Sequence, residues 1–448
     1  MKETAATRSL AEFASGLTPA GLPPEVGRRV KLLLIDALAS GLTGWTSNEA
    51  RMIDASARSM LGPGESCVIG GRPLSRGGAA MVNGYLITAR SLCDMHQPTL
   101  CHVTPVVAPA VLALATGDGS GGPDLLAGLA IGFEATVRIG QALDYPELRS
   151  RGWHTTGVVG PIGGAIGGAR SIGLDPESTE RAIGLAAAHS AGTFAAFGTP
   201  TIKFNQARAA LGGLMSVEMA RDGFLGPTDV LTTEDGGLLG TYSDGGKPGL
   251  ITDGLGERWE LMGITTRLWP SAAALQGVMT IISSEAVPQI GEIARVTVGL
   301  PPDNYQMNAD MPWSTPFQAQ LSARYVTSVA LHDRTVWLEQ FAPDRLVDPD
   351  VSEFAAEKIT VREDRSLPEG GVDMAVETRD GAALRWRREQ PKGHPDDPVA
   401  WEEVSHKLHV AAAGIITDAA VEAILETVDN LEAAADVRPL AGLLGRAS

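Results

Sequence analysis

The chain has 448 residues with 36 Lys+Arg against 53 Asp+Glu, a formal charge of −17, so it repels nucleic acid and anionic membrane surfaces. That length exceeds one ordinary core and predicts two or three domains. With 44% hydrophobic and 20% charged residues, wholesale disorder is excluded.

Cys67, Cys93 and Cys101 form no C-x-x-C pair, so zinc and iron–sulfur spacings are missing and a reducing cytoplasm fits best. Lys2, Glu3, Arg8 and Glu12 interrupt the first turns, which therefore lack the apolar core of a signal peptide. The uncharged stretch 182–202 is long enough to span a bilayer. It contains His189, Ser190, Thr193, Thr199 and Pro200, however, and reads as a buried helix and a turn.

In chain order, Val26, Val30, Leu33, Leu34 and Ala37 recur at helical spacing behind Pro23 and Pro24. Further helices are predicted at 47–61, 76–92, 104–117, 122–143, 157–172, 176–190 and 204–222, with Asp124 and Asp175 as caps. Glycine is abundant, 53 of 448, against a usual ~7%. Gly163, Gly164, Gly167 and Gly168 follow no strand, so they read as close helix packing and not as a dinucleotide fingerprint. Past residue 290 period-two runs appear at 295–300, 358–364, 372–381 and 383–391, the last two joined by Asp380-Gly381 as a hairpin turn. A helix-like stretch at 314–331 would pack on this small sheet. From 397 the helical pattern returns. The fold class is therefore mainly α with an α+β part: an all-helical domain over 1–266, an α+β insertion over 267–396, and terminal helices over 397–448 that rejoin the first domain.

The residues that a purely structural account leaves over cluster in four joins. Asp94, His96, Thr99, His102 and Thr104 precede an apolar helix. Imidazole and carboxylate suit zinc or iron, but no helical i, i+4 geometry converges them, and no metal is predicted. Arg151-Gly152-Trp153-His154 opens the glycine-dense helix. Lys203 closes the uncharged stretch, where partial burial demands an anionic partner or a shifted pKa. Arg267, Trp269, Pro270 and Ser271 mark the boundary between the two patterns. If His102, His154, Lys203 and Arg267 shared a pocket, it would gather cationic or proton-carrying groups inside an acidic protein. Such a pocket suits a di- or tricarboxylate, and a His poised near neutrality moves a proton at the carbon beside a carboxylate.

At these joins the sequence resembles the MmgE/PrpD family of polycarboxylate dehydratases, decarboxylases and epimerases. The segments carrying the resemblance are DMHQPTLCHVTPVVAPAVLALA, RGWHTTGVVGP, GTPTIKFNQARAALGGL, DGFLGPTDVL, RLWPS and Ser322-Ala-Arg-Tyr325. The resemblance implies a homodimeric, cofactor-free and metal-free enzyme, an all-helical main domain, a smaller α+β lid, and an active site in the cleft between them. It implies His102 as the proton-handling residue, with His154, Lys203, Tyr325 and Asp94 beside it. It also implies substrate contacts from Arg267, His96, Thr104 and Ser271. Arg267 stands where the family usually has Lys; since guanidinium keeps its proton, its expected task is clamping a carboxylate. The family's Asp-rich run is reduced to Asp94, its Thr near His96 is replaced, and its His-Pro-Ser is here His102-Val103-Thr104.

The expectation is a cofactor-independent lyase, dehydratase or decarboxylase, acting on a small polycarboxylate in the cytoplasm as a homodimer, with no nucleic-acid or membrane partner. An epimerase of an iminodicarboxylate would use the same pocket with two opposed proton carriers. A non-catalytic carboxylate binder is the reading in which the altered Asp, Thr and Ser positions have removed chemistry.

Overall fold

Pro24 in the first turn and the apolar run behind it form the helix Pro24–Gly44, buried without a break from Arg29 to Gly44. A helix buried on every side belongs at the centre of its domain, and this one packs against the helices Arg76–Thr88 and Trp401–Ala412. The computed structural model describes residues 5–445. The chain divides into two units. The first comprises the chain up to Ala89, Cys93–Ile264 and the chain from Ala400 onward; the second comprises Arg90–Leu92 and Thr265–Val399.

In the first unit the glycine-dense helix Thr155–Ser171 packs against three others: Thr104–Asp118, Gly122–Ala142 and Thr201–Arg221. Glycine is required by close approach. A methyl on Gly167 would lie 2.7 Å from the Gly128 carbonyl oxygen, one on Gly164 2.8 Å from the Val106 carbonyl oxygen, and one on Gly168 2.6 Å from Leu114. One on Gly163 would collide with Thr136 Oγ1. Asp175 caps Pro176–Ala187 by accepting the Ser178 N–H at 2.8 Å. Asp124 does not cap. Gly121 holds that position, and the Asp124 carboxylate pairs with Arg170 at 2.9 Å from within the first turn. The uncharged stretch 182–202 completes Pro176–Ala187 and then turns through Phe194–Ala196. No helix among the described residues is long and apolar enough to cross a membrane.

The helix Arg76–Thr88 stops four residues short of the expected 92. Ser91 takes a left-handed φ of 53°, and Arg90–Leu92 belongs to the second unit. There the Gln320 side chain donates to the Arg90 carbonyl at 3.1 Å. The second unit carries a four-stranded sheet in the order Ile359–Glu363, Ile293–Leu300, Val372–Thr378, Ala383–Arg388. The first pair runs parallel, with Val298 opposite Val361; the other two run antiparallel, with Met374 opposite both Val298 and Trp386. Gly381, at a φ of 90°, closes the hairpin between the last two strands. The stretch 314–331 is two helices, Pro316–Leu321 and Ala323–Asp333, because Ser322 is extended between them and caps the second through its hydroxyl.

Candidate active site

Two backbone hydrogen bonds between His96 and Cys101, of 2.8 and 3.3 Å, pinch the segment before Thr104–Asp118 into a tight loop. Asp94 ends up beneath the N-terminus of that helix. Its carboxylate accepts the N–H groups of Val103 and Thr104 at 3.1 Å and the Thr104 hydroxyl as well. Burial raises the Asp94 carboxyl to about 6, with the neighbouring Cys93 adding to the rise and the Thr104 hydroxyl opposing it. Asp94 and Thr104 thus form a cap built across the loop, and the pair fixes where His102 stands. His102 Nδ1 lies 2.8 Å from the Asp94 carbonyl oxygen and 3.5 Å from Cys93 Sγ, and the His102 backbone N–H donates to Thr156 Oγ1 at 3.0 Å. A carbonyl only accepts, so Nδ1 bears the hydrogen and Nε2 is the basic nitrogen.

His154 precedes the first turn of Thr155–Ser171, and Lys203 lies in the first turn of Thr201–Arg221; both are buried. Burial, reinforced by the positive charges of His102, Lys203 and Arg208, depresses His154 to about 3. It is neutral at physiological pH and does not join the cationic set expected from sequence. Asp94, His102, Thr104, His154 and Lys203 therefore form one buried cluster in the first unit. His96 turns elsewhere: its Nδ1 lies 2.8 Å from Thr99 Oγ1, and burial lowers it to about 4 against the opposing charge of Glu260.

Within the second unit, Arg267 is buried and donates through Nη1 to the Ser271 carbonyl at 3.0 Å. The Ser271 hydroxyl accepts from Gln276 Nε2 at 3.0 Å. The Tyr325 ring packs near Trp313 and Phe341, and its hydroxyl donates to the Gln340 carbonyl at 2.7 Å. Burial pushes the Tyr325 phenol up. The hydroxyls of Ser271 and Tyr325 both hydrogen-bond within the second unit.

Sequence reasoning passed over three residues beside the cluster. Thr156 receives the His102 N–H, Asn205 lies 3.2 Å from His154 Nδ1, and Thr155 has a buried Oγ1 without a hydrogen-bond partner. Each is a polar residue at or just before the start of a predicted helix, one or two positions from a residue already singled out. A cavity of about 1230 Å3 in the first unit is lined by Ser66, Cys67, Arg72, Arg76 and Arg438 among others, and by none of the candidate residues. Among the described residues no three His, Cys, Asp or Glu side chains converge on a point that would hold a metal ion.

The cluster thus holds a buried histidine oriented by a backbone carbonyl, a buried lysine, and a second histidine that is neutral. The fold around it is that of a known family: residues 8–250 match the MmgE/PrpD N-terminal domain and residues 271–433 the MmgE/PrpD C-terminal domain, and the chain belongs to this family. A cis-aconitate decarboxylase-like protein of Aspergillus oryzae is 30% identical over 98% of this chain and 97% of its own length. A cis-aconitate decarboxylase of Aspergillus terreus is 28% identical over 98% and 95%, and that of Homo sapiens 25% identical over 98% and 94%.

Proposed function

We propose that the protein is a cofactor-independent lyase that acts on a small di- or tricarboxylic acid by proton transfer at a carbon next to a carboxylate. The observation that carries this reading is the His102 arrangement, a buried imidazole whose Nδ1–H is held by the Asp94 carbonyl, so that Nε2 is the basic nitrogen, with the charges of His102 and the buried Lys203 both acting on His154. Of the two lyase chemistries, decarboxylation has the support of the relatives' names. Loss of carbon dioxide breaks a C–C bond, and its electron pair delocalises toward a neighbouring carboxylate. Protonated His102 then delivers a proton to carbon, so one proton is consumed per turnover. Lys203 stabilises the developing negative charge, and Arg267 is assigned a carboxylate clamp on the family resemblance. The same reading takes the enzyme as a cytoplasmic homodimer, to be checked by light scattering.

The epimerase alternative needs a second proton carrier opposed to His102, either Tyr325, whose hydroxyl donates to the Gln340 carbonyl, or the buried Lys203. The experiment is incubation in deuterated buffer with citrate, 2-methylcitrate, cis-aconitate and iminodisuccinate, followed by proton NMR. Carbon dioxide release with one deuterium gained establishes the decarboxylase, and loss of water the dehydratase. Exchange on an unchanged skeleton establishes the epimerase, and binding without turnover the carboxylate-binding homologue. His102→Ala is expected to lower kcat by about 10²–10⁴-fold; near-full activity in that variant refutes its role.

A further inference from the structure

We propose that Asn205 is a positioning residue that holds His154 as a neutral hydrogen-bond donor through Nε2, in a frame set by Gly192 and Arg208. This rests on the lyase reading above and takes the His154 ring to face the substrate. The argument starts from donor chemistry. An amide NH2 group only donates, so the 3.2 Å contact between Asn205 Nδ2 and His154 Nδ1 makes Nδ1 the acceptor. The hydrogen of the neutral ring is then on Nε2. His102 is held the opposite way, with its hydrogen on Nδ1 against the Asp94 carbonyl. The two histidines therefore differ in tautomer: one offers a basic nitrogen and the other an N–H.

The frame is built around that amide. Gly192 has a φ of 117°, and a methyl there would lie 2.9 Å from the Asn205 amide carbon and 3.0 Å from both its nitrogen and its oxygen. The amide thus lies flat on the glycine. The Gly192 carbonyl accepts the His154 N–H at 2.9 Å, so the same residue anchors the histidine backbone. Arg208, one helical turn beyond Asn205 in Thr201–Arg221, donates to the carbonyls of Ala191 at 2.8 Å and Gly157 at 3.1 Å, and to that of His189. It ties the loop before Gly192 to the helix that His154 opens. A neutral N–H donor suits this place, because an imidazolium would stand against the charges of His102, Lys203 and Arg208. It lets His154 hydrogen-bond an oxygen on which negative charge grows during proton transfer, without exchanging a proton itself.

The test reads the tautomer directly. Protein labelled with 15N-histidine is examined by long-range 15N–1H correlation, the His154 signal being assigned by its loss in His154→Asn. The wild type is expected to show the Nε2–H form. Asn205→Asp replaces the donor by an acceptor and moves the hydrogen to Nδ1, while Asn205→Ala, which adds no charge, gives a mixture of both forms. On the polycarboxylate that the wild type turns over, Asn205→Asp is expected to lower kcat by about 100-fold, the scale seen when a catalytic histidine loses its orienting partner. A His154 that keeps the Nε2–H form in both variants overturns the assignment, as does a tautomer that moves while kcat stays at the wild-type value. If the wild type turns over none of the acids, the lyase reading fails, and the spectrum alone decides whether Asn205 sets the tautomer.

Discussion

Burial drives Asp94 and His154 in opposite chemical directions, and the consequence is measurable. An unfolded histidine titrates near 6.5, whereas His154 is depressed to about 3. Between these values the unfolded chain binds a proton that the folded state refuses, so the contribution of His154 is present above about 6.5 and is lost as pH falls toward about 3. His96, lowered to about 4, acts in the same sense. Asp94, raised to about 6, acts in the other: its contribution is present below the unfolded value of about 3.9 and is lost as pH rises through about 6. Two histidines thus oppose one carboxylate between about pH 4 and 6. Replacing His154 by Gln is expected to reduce the slope of unfolding free energy against pH in that window by about 1.4 kcal/mol per pH unit relative to the parent, one proton's worth. Urea titrations at several pH values check it, and equal slopes would mean that His154 is charged in the fold. Asp94 was legible in the sequence as a carboxylate before an apolar helix. Its role as a cap was not, because the Thr104 N–H it accepts is 10 residues away and only the closed loop brings them together.

At the scale of elements, the spacing of apolar residues and the punctuation by Gly and Pro showed most helices of the first unit, since both signals are local. Pairing of Ile293–Leu300 in parallel with Ile359–Glu363 is not local, and alternation in either strand says nothing of its neighbour. The break at Ser322 was hidden for another reason: serine is an acceptable helical residue, and only its cap on Tyr325 N–H at 3.4 Å makes it a boundary. The glycines of Thr155–Ser171 allow a direct test of the close-packing reading. Alanine is favoured over glycine in a helix by about 1 kcal/mol. At Gly167, though, the added methyl meets the Gly128 carbonyl at 2.7 Å and Val111 at 2.9 Å, and overpacking costs about 1–3 kcal/mol. Gly167→Ala is therefore expected to lower Tm, while Gly442→Ala, on a helical glycine with nothing within 4 Å, leaves Tm unchanged or raises it. Calorimetry on the two variants separates packing from propensity, and equal shifts would remove the packing argument.

At the scale of the whole chain, a buried ion pair joins distant parts of the sequence. Asp36, in the middle of Pro24–Gly44, and Lys407, in Trp401–Ala412, lie 2.5 Å apart and are 0% and 3% exposed. In sequence the aspartate stood out only as a charge within the apolar run LLLIDALAS, and nothing near it named a partner 371 residues later. Such a pair does little for net stability compared with a hydrophobic replacement, because desolvating both charges offsets their attraction; removing one partner is another matter, since the remaining charge is left buried. Lys407→Met is expected to destabilise the first unit by about 3–5 kcal/mol and to expose the C-terminal helices to protease. The double variant Asp36→Leu with Lys407→Met should recover most of that loss or exceed the parent, by the same reasoning. Urea unfolding of the three proteins reads the coupling. A single variant as stable as the parent would mean that the Asp36 charge is compensated by other groups of the first unit, and that apolar packing of Trp401–Ala412 on Pro24–Gly44 carries the attachment of the terminal helices by itself.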